Sequence, residues 1–238
     1  MNILVVNDDG IDAVGISILA KYLEKYGDVF IVAPLQQQSA NSHSLTIRRS
    51  FKVEKRSERI YGIGGTPADC VKFAKYKFDL EFDLVVSGIN DGPNLGNDIF
   101  YSGTVAGATE AALNSIPGIA VSVGSKNDFT LAKKELEDVL DYVINEKVYR
   151  NNIVLNINFP NNKYSTSKGI RITKQGVRKY ETVFELSNDS YKNIATLSLT
   201  DNDQDTDVYA WDNGYVSITP LLINRSHVNY IDEIKKRG

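Results

Sequence analysis

Two aspartates stand side by side at Asp8 and Asp9, between Asn7 and Gly10 and directly after the apolar run Asn2 to Val6. Adjacent carboxylates repel one another unless water screens them or a cation lies between them. A hard divalent cation such as Mg²⁺ or Mn²⁺ takes carboxylate oxygens and keeps waters that a substrate can displace. The same residues would also serve as an Asx-type turn whose solvated acids cap the next helix. Position bears on the choice. A short Ile/Leu/Val run followed by polar residues, Gly and a helical pattern marks the first buried strand of an α/β unit, and in open α/β sheets ligands bind beyond the carboxyl ends of the strands.

Two further segments reach the same edge. The run Val29 to Ala33, ended by Pro34, is a second strand, and the polar stretch Gln36 to Ser44 after it is a loop whose Ser39 offers a hydroxyl. His43 lies in that loop; without a visible partner it reads as a surface or structural histidine rather than an acid or base. Phe82 to Ser87 is another buried strand, and it runs into a Gly- and Asn-rich loop over Gly88 to Asp98. Such a loop needs something to order it, and a ligand is the obvious candidate. Ser102, Gly103 and Thr104 then open a small-residue helix extending to about Ser115, where the backbone can approach a ligand and the first-turn N–H groups can take an anion. N-capping by Ser102 and tight packing at Gly107 are compatible with that role. The chain thus supplies two anionic oxygens, neutral oxygens from Ser39 and Asn90, and a phosphate cradle. There is no GxSxG elbow, HExxH or GxxxxGK[ST] motif, and the chain has 2 histidines. Metal-assisted attack of water on a phosphoryl group fits these parts.

The elements that must position them follow from periodicity. Val14, Ile18, Leu19, Tyr22 and Leu23 predict a helix with Gly27 as its stop, so residues 2–33 form a right-handed strand-helix-strand unit with parallel strands. Residues 45–63 read as an exposed hairpin or edge excursion. Gly62 to Pro67 superficially matches a dinucleotide fingerprint, but Pro67 occupies the sixth position; Thr66 as N-cap and Pro67 as first helical residue account for it, opening a helix through Ala74. Gly118 to Val123 and Ile153 to Ile157 are strands on either side of an amphipathic helix spanning Leu131 to Ile144. The doubly wound part ends near Pro160. Beyond it, stretches such as Thr196 to Thr200 and Tyr215 to Thr219 form a β-rich C-terminal arm, and projecting hairpins often serve oligomer contacts. The expectation is one α/β domain over residues 1–238: a mostly parallel sheet flanked by helices over 1–160, and a β-rich extension and oligomerisation arm over 161–238. Asp201 to Asp205 fails as a calcium loop, with Thr206 at the sixth place and Asp212 at the twelfth, and reads as a solvated acidic turn.

A length of 238 residues suffices for a sizeable core, and a formal net charge of −3 gives no basic footprint for a nucleic-acid polymer. The single Cys70 reads as a buried filler and fits a reducing compartment. The N-terminus lacks a secretory pattern, and no stretch reaches the roughly 20 apolar residues that span a bilayer. A soluble cytoplasmic protein without a membrane partner is expected.

In the blocks Asn7-Asp8-Asp9-Gly10, Ser39, Gly65 to Val71, Ser87 to Asn90, Tyr101 to Val105 and Gly214 to Leu221, the chain resembles the stationary-phase survival protein (SurE) family of metal-dependent 5′-nucleotidases. The blocks run in order through nearly the whole chain. One position departs: Ala40 stands where the family commonly has Gly. The resemblance implies a Rossmann-like core, a C-terminal arm exchanged in a homodimer or homotetramer, and hydrolysis of nucleoside 5′-monophosphates, with some members also attacking 3′-nucleotides or short polyphosphate. It implies one divalent ion, Mg²⁺ or Mn²⁺, held by Asp8, Asp9, Ser39 and Asn90. Asp8 and Asp9 are then catalytic, and Asn90, Ser102, Gly103 and Thr104 meet the substrate phosphate. Attack by a metal-bound water and direct attack by Asp8 both remain open. The competing function is a nucleotide-binding sensor module without turnover.

Overall fold

The computed structural model describes residues 1–124, 128–200 and 202–237. In chain order its elements are β1 (Asn2–Val6), α1 (Val14–Leu23), β2 (Asp28–Pro34), β3 (Val53–Ser57), β4 (Ile60–Ile63), α2 (Pro67–Lys77), β5 (Leu84–Asn90), a 3₁₀ turn (Gly96–Phe100), α3 (Gly103–Leu113), β6 (Gly118–Ser122), α4 (Thr130–Asn145), β7 (Ile153–Asn158), β8 (Ile170–Ile172), β9 (Arg178–Ser187), β10 (Ser190–Thr200), α5 (Asp207–Asp212), β11 (Val216–Leu222) and α6 (Val228–Lys235).

Alternation along β1 sends Ile3 and Val5 to one face and Leu4 and Val6 to the other, and all four are fully buried. A strand apolar on both sides requires a helical layer on each. The described residues form a sheet in the order β3-β4-β2-β1-β5-β6-β7-β11-β8. Its central strands are parallel, with β1 between β2 and β5. The chain leaves β1 toward one edge and later returns on its other side, which makes the carboxyl end of β1 a topological switch point, the usual place for a ligand in such sheets. The architecture is α/β and Rossmann-like, as expected. The edge excursion is the antiparallel pair β3 and β4, with β4 buried against β2.

Helix α1 packs with α4 on the Ile3 face, tied by Lys25 Nζ to Glu137 at 2.8 Å and to Asp141 at 2.9 Å. Helices α2 and α3 cover the Leu4 face. The connection through α1 steps toward the β3 edge, whereas those through α2, α3 and α4 step the other way. The α1, α2 and α3 crossovers therefore share one hand and the α4 crossover has the opposite one, an exception to a rule followed in about 98% of parallel crossovers. Because α4 lies beside α1, a groove of about 740 Å³ opens between α3, Val154 and the segment Pro220 to Arg225.

Local signals account for most boundaries. Thr66 and Asp69 form a reciprocal capping box with Pro67 in the first turn of α2. Helix α1 ends at Leu23, before Gly27; the expected stop instead lets Met1 pass, since a Cβ there would lie 2.0 Å from its carbonyl oxygen.

Beyond residue 160, β11 joins the main sheet antiparallel to β7, and β8 lies beside β11. Strands β9 and β10 form a separate antiparallel hairpin. The arm also contains two helices that alternation did not announce. The acidic turn leads directly into α5, whose N-cap Thr206 accepts from Tyr209 N at 3.3 Å; Asp201 lies outside the described residues. Val228, Ile231 and Ile234 of α6 are all exposed. Among the described residues no helix is long and apolar enough to cross a membrane.

Candidate active site

The turn after β1 is closed by Asn7, fully buried, whose Nδ2 donates to Gly10 O at 2.8 Å and whose Oδ1 accepts from Gly10 N at 3.2 Å. This Asx-type closure uses Asn7 and leaves the two acids to project beyond the sheet. Asp8 is 4% exposed. Its Oδ1 accepts a short hydrogen bond from Thr104 Oγ1, and its main-chain oxygen accepts from Gln38 N at 2.7 Å. Asp9 Oδ2 accepts from Asp91 N at 3.1 Å and Oδ1 from Gln37 Nε2 at 3.3 Å. Both acids are thus oriented by neutral donors.

Burial pushes the Asp8 carboxyl up to about 6, opposed by the Thr104 hydroxyl and reinforced by the charge of Asp9. Burial also raises Asp9, opposed by the Asp91 N–H. A desolvated carboxylate pair with no ion-pair partner among the described residues is a site where added positive charge lowers the energy most.

A cavity of about 320 Å³ lies at this edge, lined by Asp8, Asp9, Ser39, Asn90 and Ser102, with Gln37, Asp91, Asn94, Asp98 and Tyr101 also bordering it. The acid pair and the two neutral oxygens expected beside it do meet. Asn90 ends β5, and its Nδ2 is spent on Gly92 O at 2.6 Å, which turns the amide oxygen to the remaining side. Ser39 arrives on the loop after β2, where Ala40 adopts φ 58°, a left-handed conformation that glycine takes more readily than alanine. Among the described residues no three His, Cys, Asp or Glu side chains cluster as a metal site. A cation here would rest on two carboxylates completed by a hydroxyl and an amide oxygen, a hard donor set suited to Mg²⁺ or Mn²⁺.

The three positions at the start of α3 divide. Ser102 borders the cavity, and its Oγ caps the helix by accepting from Val105 N at 3.1 Å. Gly103 lies against Asp8: a Cβ there would stand 2.8 Å from Asp8 Cβ and 2.9 Å from Oδ2. Thr104 is fully buried, and its hydroxyl holds Asp8. Gly103 and Thr104 therefore both lie against Asp8.

The loop after β5 is ordered by the protein rather than awaiting a ligand. Asn94 N donates to Asn158 Oδ1 at 2.8 Å, Asn156 Nδ2 to Asn94 O at 2.8 Å, and Asn94 Nδ2 to Ser122 Oγ at 2.9 Å. The buried Asp207 accepts from Gly96 N at 3.0 Å and Gly176 N at 2.8 Å, fastening the same loop to the base of the C-terminal arm. No sequence motif marks these anchors as a set. One signal was available: Asn156 and Asn158 alternate in an otherwise apolar strand, which places two amides on one face of β7. The partnership of Asp98 with Arg178 Nη1, 2.6 Å apart, has no local signature. His43 is structural, with Nε2 2.8 Å from Glu110 Oε2.

Comparison with known proteins identifies the family. The family model described as Survival protein SurE matches residues 3–182. The "5′-nucleotidase SurE" of Petrotoga mobilis is 42% identical, covering 99% of this chain and 98% of its own length. That of Carboxydothermus hydrogenoformans is also 42% identical, over 99% and 95%. The crystal structure of the SurE protein from Aquifex aeolicus superposes with a TM-score of 0.86 at 37% identity, covering 99% of each chain. This chain belongs to the SurE family.

Proposed function

We propose that this protein is a metal-dependent phosphatase that hydrolyses nucleoside 5′-monophosphates to nucleoside and phosphate, with 3′-nucleotides and short polyphosphate as further substrates. Its full-length relatives carry the name 5′-nucleotidase, and as a member of their family the chain is a hydrolase. The observation that carries the metal reading is the buried pair Asp8 and Asp9, oriented by neutral donors, with Ser39 and Asn90 bordering the same cavity.

When bound, one Mg²⁺ or Mn²⁺ supplies the charge that lets a phosphate dianion approach carboxylates and lowers the pKa of an attacking water. The protein's part is orientation. Thr104 sets the rotamer of Asp8, while Gln37 and the Asp91 N–H set that of Asp9. Ser39 and Asn90 offer neutral oxygens to the ion, and Asn90 and Ser102 meet the phosphoryl group. The N-terminal end of α3, where partial positive charge accumulates, suits the charge that develops on that group. Burial of Asp8, with Oδ1 engaged by Thr104, favours water over Asp8 as the nucleophile.

We place the enzyme in the cytoplasm, in keeping with its one buried free Cys70, and as a homodimer or homotetramer joined through the arm of residues 161–238. The exposed apolar side chains Val183, Phe184 and Leu186 on β9 support that assembly.

Release of phosphate from 5′-AMP, from 3′-AMP and from tripolyphosphate, each with Mg²⁺, with Mn²⁺ and with EDTA, tests the function. Turnover of 5′-AMP that EDTA abolishes is expected. Tight nucleotide binding without phosphate release would favour the sensor reading, and undiminished turnover in EDTA would remove the metal. Asp9→Asn is expected to lose activity with its fold intact.

A further inference from the structure

Ser39 stands on a stretch of chain without helix or strand, so no ladder of backbone hydrogen bonds determines where its hydroxyl lies. On one side, residue 38 is pinned by its N–H to Asp8 O. On the other, Ser42 N donates to Tyr101 O at 3.1 Å and Ser42 Oγ to Phe100 O at 2.6 Å. His43 then meets Glu110 of α3, and Ser44 O accepts from Thr66 Oγ1 at 2.7 Å. Between the pins lie only Ser39, Ala40 and Asn41, and both Ala40 (φ 58°) and Ser42 (φ 50°) are left-handed. Side chains rarely adopt that conformation unless the surroundings impose it.

Glu110 is built for this contact. It is buried; Oε1 accepts from Lys72 Nζ at 3.0 Å and Asn114 Nδ2 at 2.9 Å, and Oε2 is left to His43 at 2.8 Å. Burial alone would raise this carboxyl, but the hydrogen bonds from His43, Lys72 and Asn114 outweigh it and hold it low. Glu110 also shares α3 with Ser102 and with Thr104, which holds Asp8. One rigid helix thereby references the Asp8 side and the Ser39 side of the cavity to each other.

We propose that His43, held by Glu110, is a positioning residue for the metal site, which fixes the turn that delivers Ser39 to the ion shared with Asp8, Asp9 and Asn90. The proposal rests on the metal reading given above. Groups that orient a metal's ligands typically carry a 10- to 100-fold effect on affinity, so His43→Ala is expected to weaken Mn²⁺ binding by about 10-fold.

The test is Mn²⁺ titration of the full-length, EDTA-stripped protein, read by the loss of the free-ion EPR signal, with thermal melting and phosphate release run in parallel. His43→Gln, whose Nε2 reaches to about the same depth as the imidazole Nε2, is expected to recover most of the affinity. Lys72→Ala removes a partner of the other Glu110 oxygen without touching the loop and is expected to bind Mn²⁺ within about twofold of wild type, well inside the 10-fold effect that marks a ligand-orienting group. Equal Mn²⁺ affinity in wild type and His43→Ala would overturn the proposal. So would a loss in Lys72→Ala as large as in His43→Ala, because the cluster would then act through folding alone. A wild-type protein that binds no Mn²⁺ overturns the metal reading itself and this proposal with it.

Discussion

Replacing Asp8 by Asn is expected to stabilise the metal-free protein while abolishing its activity. The carboxyl, 4% exposed, is pushed from the ordinary 3.8 up to about 6, chiefly by burial. Each unit is worth about 1.4 kcal/mol, so keeping Asp8 ionised in the ion-free fold costs about 3 kcal/mol at pH 7.5. The folded chain holds this proton up to about pH 6, whereas the unfolded chain releases it near 3.8. The folded state therefore binds more protons in that window, and stability falls as pH rises from about 4 to 6 and is level above it. Asparagine has nearly the same shape, and its Oδ1 still accepts from Thr104 Oγ1, but it carries no charge. At pH 7.5 in EDTA, Asp8→Asn should gain up to about 3 kcal/mol, or roughly 6–12 °C in melting temperature for a chain of this size. The advantage should shrink toward pH 4.5. Scanning calorimetry of both proteins in EDTA across that range measures it. Addition of Mn²⁺ should raise the melting point of wild type by mass action and leave the variant unmoved. A variant that melts at or below wild type at pH 7.5 in EDTA, or one that Mn²⁺ stabilises equally, would refute the reasoning.

Thr104→Val keeps the volume and removes the hydroxyl that orients Asp8; a 10- to 100-fold loss in kcat/KM with a stability cost of about 1–3 kcal/mol is expected, read by phosphate release and urea unfolding. Asp207→Ala strands the N–H groups of Gly96 and Gly176, so hydrogen exchange should quicken at residues 94–100, at a global cost of about 2–4 kcal/mol. Phe184→Asp combined with Leu186→Asp puts charge on the exposed hairpin face; light scattering should find a smaller particle than wild type, and an unchanged mass would remove the hairpin from the assembly.

What the sequence determined by itself was the run of strands and helices up to β7 and the edge on which the candidate site sits. The run of apolar residues in β1, the capping box of Thr66 and Asp69 around Pro67, and the 3.6-residue pattern of α4 are encoded within a few turns of chain, where propensity and periodicity act. Asp8, Asp9, Ser39, Asn90 and Ser102 were legible because each follows a strand or opens a helix on one side of a parallel sheet. Tertiary structure decided the rest. Helix α4 lies beside α1, against the usual crossover hand, and no pattern within α4 chooses a face. The loop after β5 is held by Asn158, 64 residues away, and by Asp207, 111 residues from Gly96. Thr104 reaches back 96 residues to Asp8, and Glu110 67 to His43. Hydrogen bonds across such separations are selected by packing of the completed sheet and helices, because only there do buried donors and acceptors find partners, and local sequence carries no trace of which partner each will meet.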